Sequence, residues 1–167
     1  MPIESTIVTS NSDSLYPTFH TAIEHPPTIP SRTVVRKILV VERESALRGL
    51  VADLFDFEGY CVTEAEDEAA LFEAMQSVST ANQSQFDLIV LGFQAEGGFD
   101  LSTLVQLRDS GCNTPAIVLA HERELPVDRR MLELDVAFLS KPFVLENLRI
   151  VANHVLYTRQ NQLKQLD

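Results

Sequence analysis

Cysteine, basic residues and long apolar runs are all scarce in this chain of 167 residues. Its two cysteines, Cys61 and Cys112, each lie in or beside an apolar segment, so we expect two reduced thiols and no disulfide framework. No run approaches the ~20 apolar residues of a membrane-spanning helix, and the N-terminal stretch lacks the basic start and apolar stretch of a signal peptide. These absences predict a cytoplasmic protein.

The shortage of basic residues excludes one class of partner. Lys and Arg number 13 against 24 Asp and Glu, which gives a formal net charge of −11. A protein that binds nucleic acid or an anionic membrane by neutralising phosphates needs the opposite sign. Hydrophobic residues make up 45% and charged residues 22%, the composition of an ordinary globular domain, and the length suits one such domain.

Composition divides the chain into three parts. Residues 1–36 are rich in Ser, Thr and Pro and keep neither a period of 2 nor one of 3.6, which predicts a flexible tail. His20 and His25 in this tail have no Cys or acidic partner at ligand spacing, so we do not expect a metal site there. A domain is predicted over residues 37–157, and a C-terminal helical extension over 158–167.

Short apolar runs alternate with helical patterns through the predicted domain. The runs predict five strands, at about residues 37–41, 60–63, 87–91, 115–120 and 137–139. Period-3.6 stretches predict five helices, at about residues 46–58, 66–77, 101–109, 127–134 and 145–166. This alternation, with short connections, predicts an α/β fold: a doubly wound parallel sheet covered by helices on both faces.

Functional sites of such sheets lie at the carboxyl ends of the strands. Four predicted strands end on informative residues: Glu42-Arg43-Glu44 after the first, Gly92 after the third, Ala120-His121 after the fourth and Ser140-Lys141-Pro142-Phe143 after the fifth. No glycine-rich phosphate loop follows the first strand, which argues against a flavin or nucleotide binder on this fold.

Four segments, in order and at matching spacing, resemble the receiver domain of bacterial two-component response regulators. They are residues 38–48 (ILVVERESALR), 86–91 (FDLIVL), 115–119 (PAIVL) and 140–143 (SKPF). The resemblance covers about residues 36–157. It implies a flavodoxin-like, five-stranded parallel sheet with strand order 2-1-3-4-5.

The resemblance also implies a phosphorylation site, from which this chain departs. Functional receivers use an Asp at the end of the third strand as phosphoacceptor, two acids after the first strand to hold Mg²⁺, and a hydroxyl and a Lys on the phosphoryl oxygens. The acceptor position here is Gly92, the acidic pair is Glu42 and Arg43, and the hydroxyl position is Ala120. Only Lys141 matches the pattern.

Charge at these positions disfavours a divalent cation. Glu42, Arg43 and Lys141 sum to +1, where three carboxylates and one lysine would sum to −2. We therefore expect no Mg²⁺, no other cofactor and no aspartyl phosphate. Two alternatives remain open for the cations. Arg43 and Lys141 could receive a small anion, or Arg43 could pair with Glu42, Glu44 or another nearby acid and close the site.

Other acceptors are possible in principle. Asp87 lies at the start of the third strand, far from the predicted crevice, whereas Glu96 and Asp100 follow that strand and could reach inward. His121 fits a solvated loop histidine better than a phosphohistidine.

The output side also carries a candidate residue. In receivers the face formed by the fourth helix, fifth strand and fifth helix binds partners, and an aromatic on the fifth strand takes part. Phe138 keeps that position here, although it also suits a plain core residue. Beyond Tyr157, Leu163 and Leu166 would lie on a helix that either pairs with another helix, as in a homodimer, or frays.

These observations favour a non-enzymatic pseudo-receiver that binds a signalling partner, a histidine kinase or a downstream regulator, independently of phosphorylation. The alternative is a phosphotransfer receiver with an unconventional acceptor.

Overall fold

The computed structural model describes residues 35–76, 85–94, 100–124 and 133–165, without the side chain of residue 163. The predicted tail, except for its last two residues, lies outside these ranges. So do Glu96 and most of the helix predicted over residues 127–134. The domain boundaries and the flexibility of the tail therefore stay predictions.

Five parallel strands form a single sheet of order β2-β1-β3-β4-β5, as predicted. Their bounds are β1 Lys37–Val41, β2 Cys61–Ala65, β3 Leu88–Gly92, β4 Ala116–His121 and β5 Val136–Lys141. The central strands β1, β3 and β4 are almost completely buried, which explains why they are continuous apolar runs.

Four α-helices connect or follow these strands within the described residues: α1 Ser45–Phe57, α2 Glu68–Gln76, α3 Leu101–Asp109 and α4 Leu145–Gln165. A short 3₁₀ turn, Glu122–Glu124, follows β4. α1 ends as predicted at Gly59, whose φ of 86° is a left-handed conformation that glycine adopts without a steric penalty. Within the described residues, no helix combines the length and apolar character needed to cross a membrane.

The core consists of two layers, one on each face of the sheet. α1 and α4 pack on one face, where Val51, Phe55 and Leu148 meet side chains of the central strands. α2 and α3 contribute to the other face through residues such as Leu71 and Leu104. Both cysteines are free, as predicted; Cys112 is buried in this second layer and Cys61 is exposed on the edge strand β2.

Arg108 joins the end of α3 to the segments that precede β4 and β5. Its guanidinium donates to the carbonyls of Leu134, Cys112 and Thr114 at 3.0, 2.8 and 2.8 Å. Burial lowers the pKa of Arg108, because removing a cation from water disfavours the charged form. These three acceptors compensate that cost, so Arg108 fixes the amino-terminal edge of the sheet.

The last helix runs to Gln165, one residue short of its predicted end. Two hydrogen bonds attach its second half to the domain: Arg159 donates to the carbonyl of Asn113 at 2.7 Å, and Arg36 donates to Gln160 Oε1 at 2.9 Å. Pairing of this segment with another helix and its fraying both stay predictions.

Candidate functional site

The carboxyl edge of the sheet brings the predicted site residues together. Glu42 directly follows β1, Gly92 ends β3, and Lys141 ends β5. Ala120 is the penultimate residue of β4 and pairs in register with Ser140 of β5. Because the strand order is β1-β3-β4-β5, the ends of β3 and β4 lie between Glu42 and Lys141.

Glu42 and Lys141 form an ion pair across this edge. Lys141 Nζ lies 2.9 Å from Glu42 Oε2, and the two side chains are only 11% and 0% exposed. A charge-assisted hydrogen bond this well shielded from water is screened little by salt. Three strand spacings of about 4.8 Å separate β1 from β5, so the two side chains extend toward each other across roughly 14 Å. We call this pair the strap.

The glutamate end of the strap is fixed by the backbone around it. The N–H of Glu44 donates to Glu42 Oε1 at 2.9 Å, so both carboxylate oxygens have donors. Arg48 donates to the carbonyl of Glu42 at 2.8 Å and forms an ion pair with Glu64 at 3.2 Å. The sequence analysis missed Arg48, because its place beside the first loop follows only from the packing of α1.

Gly92 leaves the space that the strap occupies. A Cβ placed on Gly92 would lie 2.5 Å from the carboxyl carbon of Glu42 and closer still to its Oε2. Non-bonded carbon atoms normally stay more than 3.4 Å apart, so no side chain fits at position 92 while Glu42 keeps this conformation. The phosphoacceptor position is thus without a side chain, and the carboxylate of Glu42 fills the space where one would begin.

The remaining two predicted positions lie on the first loop and on β4. Arg43 is exposed on the loop after β1, whereas Ala120 is fully buried and carries no hydroxyl. Lys141 donates to the carboxylate of Glu42, a contact that the sequence does not reveal because 99 positions separate the two residues. Closure of the site by Arg43 pairing with Glu42, Glu44 or another nearby acid stays a prediction.

The residues at this edge do not fit Mg²⁺. Magnesium requires near-octahedral oxygen ligands, usually one or two carboxylates with phosphate and water. Glu42 is the one carboxylate at the predicted metal position, and its two oxygens already accept from Lys141 and from the backbone of Glu44. Among the residues that the structure describes, no cluster of three His, Cys, Asp or Glu side chains is arranged to hold a metal ion.

A cleft of about 740 Å³ opens beside the strap. Lys141, His121 and Arg123 line it together with the acids Glu44 and Glu124. Arg43 is not among the lining residues, and Lys141 is neutralised by Glu42. An anion site at Arg43 and Lys141 stays a prediction.

The alternative acceptors that lie within the described residues are engaged elsewhere or exposed. Asp87 accepts from the N–H of Lys37 at 2.8 Å, at the opposite edge of the sheet, as its position predicted. Asp100 caps α3 by accepting from the N–H of Ser102 at 2.8 Å, and its hydrogen bond to the Ser102 hydroxyl lowers its pKa. His121 is exposed, in agreement with a solvated histidine.

Phe138 occupies the middle of β5 and pairs in register with Val118. It is half-buried and packs against the core layer that contains Leu134. The helix predicted over residues 127–134, which the resemblance assigns to the output face, lies mostly outside the described ranges. The peptide bond between Lys141 and Pro142, at the end of β5, is cis.

Two regulators are similar to this chain in sequence. The transcriptional regulatory protein CiaR of Streptococcus pneumoniae is 28% identical over 115 residues, which cover 68% of this chain and 48% of CiaR. The alkaline phosphatase synthesis transcriptional regulatory protein SphR of Synechococcus elongatus is 30% identical over 141 residues, covering 80% of this chain and 53% of SphR. The chain thus matches about half the length of each regulator. No protein-family model matches it.

Solved structures of receiver domains are similar to this chain in fold. The receiver domain of the hybrid histidine kinase CckA is 27% identical, with a TM-score of 0.55, and the match covers 72% of this chain and 98% of that domain. The receiver domain of NtrX from Brucella abortus is 24% identical with a TM-score of 0.61, over 72% of this chain and 98% of that domain.

Proposed function

Since this chain contains a receiver domain of the two-component response regulator type, we propose that it is a pseudo-receiver that works without phosphorylation. It acts by binding a signalling protein, a histidine kinase or a downstream regulator, in the cytoplasm. It performs no catalysis of its own and holds no metal or cofactor. The output face around Phe138 is the surface that we assign to the partner.

The observation that carries this proposal is the conflict between the strap and any side chain at position 92. Phosphoryl transfer depends on an in-line nucleophile and on cations that neutralise the phosphoryl oxygens. Gly92 supplies no nucleophile, and the carboxylate of Glu42 lies where an acceptor side chain would begin. Lys141, the one cation retained from the pattern, is bonded to that carboxylate and not available for a phosphoryl group.

The strap also supports a single, permanent state of the carboxyl edge. A buried ion pair that loses one partner leaves an uncompensated charge, which costs several kcal/mol. Lys141 ends β5, three residues beyond Phe138, so the conformation of this strand is coupled to Glu42 at the other side of the sheet. A partner would therefore meet the same surface whatever the phosphorylation state of the pathway.

Phosphorylation is tested on the full chain with Mg²⁺ and acetyl phosphate, followed by intact-mass spectrometry. We expect no gain in mass, while an Asp-containing receiver treated in parallel gains one phosphoryl group. A hydroxylamine-sensitive phosphopeptide from the crevice would contradict the proposal and favour an unconventional acceptor. If Asp100 were that acceptor, Asp100→Asn would abolish the signal.

Partner binding is tested by capture from the native host. We expect the captured protein to be the same with and without acetyl phosphate, and Phe138→Ala to weaken its binding. Phe72→Ala is the matched control, because Phe72 is also a half-buried phenylalanine in the same core layer but lies on α2. Equal loss of binding in both variants would place the partner surface elsewhere.

A further inference from the structure

A second cleft lies at the opposite edge of the sheet from the strap. It has a volume of about 560 Å³ and lies between the first residues of β4 and β5 and the second half of α4. The cleft adjoins Val136 at the start of β5, whereas Lys141 ends that strand, so about 16 Å of strand separates the cleft from the strap. We call it the amino-edge cleft.

Much of the lining of the amino-edge cleft is apolar and made of short side chains. These come from the starts of β4 and β5 and from α4: Pro115, Ala116, Val136, Ala137 and Val155. Sites for small molecules typically have volumes of about 300–1,000 Å³ and mostly apolar walls, with a few polar groups that fix the orientation of the ligand. The amino-edge cleft therefore has the size and the lining for an organic molecule.

Arg159 on α4 adds a permanent positive charge to this lining. The side chain is half-buried, and its Nη1 donates to the carbonyl of Asn113 at 2.7 Å, which holds the guanidinium at the cleft. A guanidinium has five N–H donors in a planar fork, and this bond uses one of them. Arg159 is thus a held cation that can donate to an acidic group in the cleft.

Positive charge exceeds negative charge around Arg159. The pKa of Arg108 is lowered first by burial and also by the charge of Arg159, whereas Asp135, which lines the cleft, raises it. Within the described residues, neither arginine forms an ion pair with a carboxylate. The two arginines and Asp135 sum to +1 in a chain whose net charge is −11. This local excess favours one further negative charge at the cleft.

We propose that the amino-edge cleft binds a small organic carboxylate, with its acid group on Arg159 and its apolar body against Ala137 and Val155. A carboxylate accepts two parallel N–H···O bonds from a guanidinium, and its single charge equals the local excess. A phosphate group would bring nearly two charges beside Asp135. The inference does not rest on the proposed function, because the cleft shares no residue with the strap.

Binding is tested by titrating the full chain with phenylbutyrate and following its amide NMR spectrum. We expect saturable shifts at the lining residues Ala137, Val155 and Thr158, with a Kd of about 1 mM or below. Phenylbutanol has the same apolar body without the charge, and should bind roughly tenfold or more weakly. No saturation by about 10 mM, shifts confined to other parts of the chain, or equal affinity for the two probes would overturn the proposal.

Two variants separate the roles of charge and apolar lining. Arg159→Gln should weaken phenylbutyrate roughly tenfold or more and leave phenylbutanol nearly unchanged, whereas Ala137→Leu fills the cleft and should weaken both. Arg149→Gln, on the same helix but outside the lining, is the matched control and should change neither affinity. The same spectra show whether each variant is folded, and the comparison of the two probes on the wild-type chain needs no variant. A folded Arg159→Gln protein that binds phenylbutyrate as tightly as the wild type would refute the role of the guanidinium.

Discussion

Replacing Lys141 with methionine removes one half of the strap while keeping most of the volume of the side chain. The carboxylate of Glu42 then stays at 0% exposure with the N–H of Glu44 as its remaining donor. Solvent does not reach this carboxylate, because the side chain of Glu42 is completely buried. We expect Lys141→Met to destabilise the domain strongly.

The expected loss of stability follows from the burial of both side chains of the ion pair. Breaking a buried ion pair by removing one partner typically costs about 3–5 kcal/mol. This value is a large part of the ~5–15 kcal/mol that holds a typical domain folded.

Urea unfolding followed by far-UV circular dichroism measures this loss. The double variant Glu42→Met/Lys141→Met removes both charges and should recover most of the stability, since no unpaired charge remains. Lys164→Met is the matched control on the exposed side of α4 and should change the free energy of unfolding by less than about 0.5 kcal/mol. If Lys141→Met costs under about 1 kcal/mol, or the double variant is no more stable than the single one, the strap is not a buried ion pair.

Three further substitutions test other parts of the structure by the same unfolding measurement. Gly92→Ala should lower the free energy of unfolding by about 1–3 kcal/mol, because its Cβ meets the carboxylate of the strap. The control Gly49→Ala has no atom within 4 Å of its Cβ and should stabilise α1 by up to about 1 kcal/mol. Equal changes in stability in the two variants would contradict the clash at position 92. Arg108→Met should cost about 2–4 kcal/mol through three unsatisfied carbonyls. Arg149→Met, which removes only a surface ion pair with Glu146, should cost less than about 1 kcal/mol. Asp100→Ala should cost about 1 kcal/mol at neutral pH by removing a helix cap. Since the pKa of Asp100 is lowered in the folded state, its contribution is present above the unfolded-state pKa and should disappear as pH falls through the folded-state value; a cost that is constant down to pH 2 would exclude this.

The sequence was sufficient for the fold because burial on both faces leaves a simple pattern. β1, β3 and β4 are continuous apolar runs and were predicted within one residue of their observed bounds. The edge strands were less well predicted. β2 extends two residues further than its predicted end at Thr63, and β5 continues to Lys141, beyond the predicted end at Leu139. Apart from the buried Ala65, the residues of these two strands are exposed or half-buried, so hydrophobicity does not mark where pairing stops.

The sequence predicted which receiver residues are missing from the site, but it did not predict the ion pair between Glu42 and Lys141. Gly92, Ala120 and Arg43 are visible in the sequence as departures from the receiver pattern. The partner of Glu42 is not, because Lys141 reaches it only by extending over two intervening strands. Side-chain direction at the end of a strand depends on the packing of neighbouring loops, and short-range spacing favoured the adjacent Arg43 instead.

The strap links the glycine at position 92 to the conformation of Glu42. An acidic side chain at position 92 would collide with Glu42, and at about 3 Å from that carboxylate it would also repel it. Once glycine stands there, the charge of Lys141 loses its partner on β3, and the longer carboxylate of Glu42 can reach across the vacated space to pair with it. The buried lysine needs a negatively charged partner, which is either an acidic acceptor at position 92 or Glu42. The two carboxylates cannot both occupy this space, so the chain has one or the other. On this reasoning Lys141 is retained because it holds the ends of β1 and β5 together, and its presence is no sign that the chain still handles phosphate.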